Sequence, residues 1–494
     1  DSILSLQVVS RVRNHPQLQR EVRLRDLMRK PTIAELLAPV DAPTPVATTA
    51  EQVLPEGELF NLLPIQQWLF EVPMEQRQHF NQALLLDVLQ PLQDAALKQA
   101  VDQLLARHEA LRLRFVPGAG GWSQRYASVE EAAQVAVLWQ LELADSAELE
   151  AAIQRAQRSL DLSQGPLLRV LHARLAQGGE RLLLVIHHLA VDGVSWQVLL
   201  EDLLAAYQAA CARREAKLPR PTSRYRDWAQ RLQTRARSPE GEAELAFWLQ
   251  QVGAGPALEL PVDNPRGRNL VGTAGEAHIS LDPQRTQLLL KAAPAALQAQ
   301  INDLLLTALS RAVCRWSAND SVLLQLEGHG REDLFDELDL SRTVGWFTSM
   351  FPVHLRPGTG EVVDSVRAVR EQLAQLPERG LGFGALRYLG RAEVRQALAQ
   401  LPPPRITFNY LGQLDQVGSG QALFGAAQES LGDLHSPSAP LANWLEIIGQ
   451  VHDGRLGMRC IYSRKRYRPD TVQALLDTFE AELHRLIDHC ERLS

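Results

Sequence analysis

At 494 residues the chain exceeds what one core of ordinary size accommodates, so two or three domains are expected. With 45% hydrophobic and 22% charged residues it has the composition of a folded globular protein, not of a disordered one. Its 51 Lys and Arg against 58 Asp and Glu leave a net charge of −7, which excludes a global positive field for holding nucleic acid or anionic lipid.

Residues 1–38 carry helical periodicity, with Ile3, Leu6, Val9 and Val12 on one face and a second short segment from Pro31 to Leu37. So short a unit falls below the size that folds alone without disulfides or metal, which favours half of a domain. Residues 39–58 hold Pro39, Pro43, Pro45 and Pro55 without an apolar period and read as a semi-extended tether. It reaches up to roughly 65 Å at about 3.3 Å per residue. Strands and helices then alternate: a strand at Ala83–Val88, a helix at Asp94–His108 and a strand at Leu111–Phe115. The short apolar run Arg181–His188 precedes a long helix at Val194–Ala212. Prolines, charges and glycines cluster over residues 217–267, and the lobe boundary is set there, giving lobes at 59–235 and 236–494. The second lobe repeats the grammar: strand Ala277–Leu281, helices Gln284–Lys291 and Asn302–Ser317, and strand Ser321–Leu326 leading to Glu327.

Four scattered cysteines, Cys211, Cys314, Cys460 and Cys490, suggest neither a disulfide framework nor a zinc knuckle, and a reducing cytoplasm is expected. The longest apolar stretches fall far short of the roughly 20 residues that span a bilayer. A start at Asp1 reads as a piece of a longer protein.

Three constellations can carry chemistry. In His187-His188-Leu-Ala-Val-Asp192-Gly193 a buried strand delivers imidazoles to a loop. His exchanges protons near neutral pH, Asp192 can fix a ring or brace the loop, and Gly193 permits a tight turn into the helix. A His pair serving only packing and hydrogen bonding fits the same residues. No Glu follows the first His as in a zinc-protease helix, and no third ligand stands out, so no metal is expected. In Glu327-Gly328-His329-Gly330-Arg331-Glu332 the position after a strand singles out Glu327, while Arg331 and Glu332, followed by Asp333, are expected to begin the next segment and pair on the surface. In Phe408-Asn409-Tyr410-Leu411-Gly412, Asn409 and Tyr410 can stabilise an oxyanion or be satisfied structurally. The basic run Arg464–Arg468 reads as a solvated surface.

Taken together and in order, these stretches resemble the epimerization domain of nonribosomal peptide synthetases, a branch of the condensation-domain superfamily. Pro64-Ile-Gln-Gln-Trp68 resembles its opening motif, His187–Gly193 its HHxxxDG, Glu327–Glu332 its EGHGRE, and Val344–Thr348 with Pro352-Val353, Gly380–Gly384 and Phe408–Gly412 its later motifs. Phe383 stands where Tyr is more usual. Asp1-Ser2-Ile3-Leu4 and Pro31-Thr-Ile-Ala34 resemble the second half of a peptidyl carrier domain, although Ser2 alone also reads as a helix N-cap.

The resemblance implies an α/β fold of two chloramphenicol-acetyltransferase-like lobes forming a V, with the active site in the tunnel between them and a partial helical carrier segment in front. It implies a cytoplasmic isomerase that equilibrates an aminoacyl or peptidyl thioester between L and D at Cα, within antibiotic or siderophore synthesis. The condensation domain, forming a peptide bond, is the alternative. His188 and Glu327 are the expected catalytic pair, with Asn409 and Tyr410 orienting substrate or enolate and His187, Asp192 and Gly193 supporting the loop. The positive end of the helix starting at Gly193 is expected to favour a neutral His188. Ser2 is the implied bearer of 4′-phosphopantetheine. The implied partners are the carrier-bound thioester, an upstream adenylation domain and a downstream condensation domain, with no nucleic acid and no membrane.

Overall fold

The computed structural model describes residues 8, 9, 11, 12, 22, 57–219, 222–253, 259–413 and 423–493. Ser2, the carrier segment 1–38 apart from those five residues, and all but the last two residues of the tether 39–58 lie outside the described residues.

In the first lobe, β1 (Phe60–Asn61) runs into helix α1 (Pro64–Glu71), followed by β2 (Asn81–Val88), α2 (Asp94–Arg107), β3 (Leu113–Gly118) and β4 (Gly121–Tyr126). β5 (Leu138–Leu143), α3 (Ser146–Gln157), β6 (Leu168–Leu175), β7 (Glu180–His187) and α4 (Gly193–Cys211) complete it. β7 is central, antiparallel to both β2 and β6. Its run Leu182–Ile186 is fully buried because both faces are covered. Leu182, Leu184 and Ile186 pack with Leu97, Val101 and Leu104 of α2 and Leu199 and Leu203 of α4, while Leu183 and Val185 meet Leu149 and Ile153 of α3. An unbroken apolar run in a strand thus reports burial on two sides rather than a helix.

α5 (Tyr225–Ala236) still packs into the first lobe's core through Trp228 and Leu232, and the rest of the chain contains β8 (Ala274–Ser280), α6 (Ile301–Ser317), β9 (Val322–Gly328), β10 (Ser349–Leu355), α7 (Leu381–Leu389), β11 (Ile406–Gln413), β12 (Phe424–Ala426), β13 (Leu445–His452), β14 (Arg455–Ser463) and α8 (Pro469–Leu493), most of which build the second lobe. Its six-stranded sheet has the order β10-β9-β11-β13-β14-β8. One face is apolar: Leu324, Leu326, Ile406, Phe408, Leu445 and Ile447 pack on α6 and α8 through Leu305, Leu309, Phe479 and Leu483. The two-residue period then commits Gln325, Glu327, Thr407, Asn409 and Glu446 to the opposite face.

A single cut at 235/236 does not separate the lobes. β12 adds to the edge of the first sheet, Phe424 pairing with Val88, and Leu381, Ala385 and Leu389 of α7 enter the first lobe's core. Three residues of strand are too few to announce themselves by period, which is why the crossover escapes sequence patterning. No helix among the described residues is long and apolar enough to cross a membrane.

Because β7 is packed on both faces, Leu184→Ala is expected to cost about 2–5 kcal/mol in urea unfolding, whereas Leu89→Ala, at a half-exposed edge position, should stay within about 0.5 kcal/mol.

Candidate active site

The chain leaves β7 at His187 and turns through a short helical loop into α4. His187 is fully buried and spends both ring nitrogens on the backbone, Nε2 at 2.7 Å from the Arg77 carbonyl oxygen and Nδ1 accepting from Leu189 N–H at 3.1 Å. Burial holds its pKa down at about 3, so it is a neutral brace. His188 is half-buried. Its Nδ1 lies 2.9 Å from the Val191 carbonyl oxygen, its Nε2 lies 3.2 Å from the Gln82 amide nitrogen, and its ring stacks on Trp346 with centroids 3.9 Å apart. Desolvation lowers its pKa, against smaller opposing contributions from the Val191 carbonyl and the Asp192 charge.

Asp192 caps α4, accepting from Ser195 N–H at 2.8 Å. The positive end of the helix is therefore met by this carboxylate rather than by the imidazole, and burial is what keeps His188 neutral. Gly193, the first residue of α4, is exposed and has an ordinary negative φ with open space where a Cβ would stand. The turn does not require glycine there, which corrects the conformational reason expected for it.

Arg331 corrects a second expectation. It is 2% exposed and buried against the first lobe, not a surface residue: its guanidinium donates to both Asp192 oxygens at 2.9 and 3.1 Å. It also donates to the carbonyl oxygens of Leu340 and Thr343, and it lies over the Phe347 ring. Ser195 Oγ accepts from Arg331 at 3.0 Å and from Gly345 N–H at 3.0 Å, and Phe347 N–H donates to Asp192 at 3.2 Å. The loop reaches this position because Gly330 takes φ +72° and passes so near Phe347 that a Cβ would overlap its carbonyl oxygen. His329 turns its Nδ1 to Arg331 N–H and is held near pKa 4 by burial, so it too is structural.

Glu327 stands on the polar face of the second sheet, directly opposite Met350 of β10. It is half-buried, and Asn409 Nδ2 donates to its Oε2 at 2.7 Å. Burial pushes its pKa up to about 7, the Asn409 hydrogen bond pulling the other way. Glu446 shares this face and is also pushed up to about 7, by burial and then by the charge of Glu327. Tyr410, one residue beyond Asn409, lies on the other face, packed against the apolar core and touching the space beside Gly449. The structure thus joins Asn409 to Glu327 and separates Tyr410 from both.

His188 and Glu327 approach from different lobes. Trp346, on which His188 stacks, precedes Met350, the partner of Glu327, by four residues, a span of at most about 13 Å at 3.3 Å per residue. Among the described residues no group of three or more His, Cys, Asp or Glu side chains is placed to hold a metal. Sequence reasoning passed over Gln82 and Glu446, gave Trp196 no role and set Arg331 on the surface. For Gln82 and Glu446 the signal that could have found them is a polar residue in an otherwise apolar strand.

The condensation-domain family model matches residues 58–493. Two different polypeptides of the linear gramicidin synthase of Brevibacillus parabrevis are similar to the chain, one 40% identical over 496 residues and the other 41% identical over 505 residues, each alignment covering 99% of this chain. The chain spans only 10% and 6% of the lengths of those two proteins. The crystal structure of the epimerization domain from the third module of tyrocidine synthetase B superposes with a TM-score of 0.79 at 33% identity, covering 88% of this chain and 97% of that one. The two-lobed, chloramphenicol-acetyltransferase-like α/β architecture is therefore common to both.

Removing one partner of the buried ion pair leaves the other charge uncompensated, so Arg331→Met is expected to cost about 3–5 kcal/mol in urea unfolding. Gly193→Ala, into open space at a helix start, should leave stability unchanged or raise it by up to about 1 kcal/mol in the same assay.

Proposed function

The chain belongs to the condensation-domain family, and on that premise we propose that it inverts Cα of an aminoacyl or peptidyl group held as a thioester on a synthetase carrier domain. The observation that carries this reading is Glu327: a carboxylic acid whose proton is retained to near neutrality, hydrogen-bonded by Asn409, on the lobe opposite a neutral imidazole. A group that forms an amide bond by assisting amine attack has no use for such a partner.

Sulfur donates poorly into the thioester carbonyl, so the α-proton is more acidic than in an ester or amide. His188, neutral because its site is desolvated, takes that proton through the lone pair of its unprotonated ring nitrogen, leaving an enolate and an imidazolium. Glu327, in its acid form, returns a proton from the other face and becomes a carboxylate. The reverse reaction uses the resulting imidazolium and carboxylate in exchanged roles, so the protein need only hold one proton between them. Asn409 acts through Glu327, aiming the carboxyl by its bond to Oε2. His187 and Asp192 act through the loop: the first ties it to Arg77, the second to Arg331. Tyr410, on the far face of the sheet, has no part in the step.

The test places this chain behind an intact carrier charged with an L-aminoacyl group and follows D content at Cα. The wild-type protein is expected to invert it, and His188→Ala and Glu327→Gln are each expected to slow inversion by at least about 100-fold. Inversion should also decline above about pH 7, because Glu327 there loses the proton it must supply. Inversion that persists in both variants contradicts the reading, and amide formation with a second carrier would favour condensation.

A further inference from the structure

Gln82 interrupts a core-facing column. Phe80, Leu86 and Val88, on the same side of the chain entering and following β2, pack in the first lobe's core, and Gln82 sets an amide in their midst beside the His pair. Its amide is wedged between two rings. The Trp196 indole N–H, on the first turn of α4, lies 2.8 Å from Gln82 Oε1. An indole nitrogen only donates, so it settles which end of the amide carries oxygen. The amide nitrogen, itself only a donor, is then the group 3.2 Å from His188 Nε2. Two N–H groups do not face each other, so Nε2 carries the lone pair, and the ring proton lies on Nδ1, aimed at the Val191 carbonyl oxygen 2.9 Å away.

We propose that Gln82, pinned by Trp196, is the positioning residue for the imidazole: it selects the tautomer whose Nε2 is unprotonated and aims that nitrogen. This rests on the reading of His188 as a base. A long hydrogen bond between neutral groups costs little to break, so an arriving Cα–H can replace the amide at Nε2 without rebuilding the site. The same contact opposes the imidazolium, which Nε2 can form only by turning a second N–H toward the amide. It therefore acts in the same direction as burial, which already lowers the pKa of His188. The other titratable groups near this ring are His187 and Asp192 on its own loop, His435 stacked on Phe80, and His79 beside His187 and His435; Glu327 belongs to β9 of the other lobe. Asp192 is committed to Arg331, and burial keeps His187 and His435 neutral. Gln82 is thus the group against Nε2 whose chemistry a single substitution can invert.

The experiment measures the pH dependence of inversion for the carrier-bound substrate in the wild-type protein and in Gln82→Glu, Gln82→Met and Trp196→Phe. Gln82→Glu preserves shape and the acceptor for Trp196 but puts a carboxylate against Nε2. The acid limb of the profile is expected to move up by about one pH unit or more, with roughly tenfold loss of kcat at its former midpoint. Gln82→Met lacks any donor, so it should lower kcat and, by removing the contact that opposes the imidazolium, move the limb upward by less than Gln82→Glu does. Trp196→Phe frees the amide to rotate and should lower kcat by about tenfold with KM unchanged, which keeps the proposal testable should Gln82→Glu fail to fold. An acid limb unmoved in a folded Gln82→Glu, or an unchanged kcat in Trp196→Phe, overturns the proposal while leaving the epimerase reading intact. Absence of inversion in the wild-type protein would instead remove the reading beneath it.

Discussion

The buried pair between Asp192 and Arg331 makes one site out of two lobes. Asp192 lies four residues beyond His188, and Arg331 lies four residues beyond Glu327. Locking the two loops therefore fixes how far apart the imidazole and the carboxyl are carried. Burying two charges costs several kcal/mol per ion, and their attraction offsets this only when every remaining polar group is occupied. Here Ser195, Phe347 N–H and the carbonyl oxygens of Leu340 and Thr343 occupy nearly all of them. The arrangement contributes geometry more than net stability.

Around that lock, a single physical cause prepares two opposite groups. Withdrawal from water disfavours whichever form is charged, so it lowers the basicity of His188 and raises the proton affinity of Glu327. Both drift toward neutrality, one as a base with a lone pair and the other as an acid with a proton. Glu446 on the same sheet face is raised by burial as well, and secondarily by the charge of Glu327. Burial alone brings each group to its working state, without a strong neighbouring charge.

Much of this was legible in the sequence, for identifiable reasons. The run Leu182–Ile186 and the amphipathic start of α4 bracket the His pair, and the alternation in β9 delivers Glu327 to a strand end. What escaped depends on pairing between distant segments. Arg331 sits in a charged run that looks solvated, and only the approach of the Asp192 loop shows that it is buried. The link from Gln82 to His188 spans 106 positions and exists only because β2 pairs with β7. Tyr410 is different: the two-residue period of a strand was enough to set it on the face opposite Asn409, and the attraction of a phenol as a donor overrode that simple geometry. The strand β12, three residues long, has no pattern to read.

Inversion turns on an imidazole and a carboxyl addressing opposite faces of one carbon. Its most direct test is α-deuterium uptake in D2O measured separately from L-charged and D-charged carriers, for His188→Ala and for Glu327→Gln. Two opposed groups predict complementary losses, each variant retaining uptake from one enantiomer and losing it from the other. Loss of uptake from the same enantiomer in both variants, or undiminished uptake from both enantiomers in either, would contradict it.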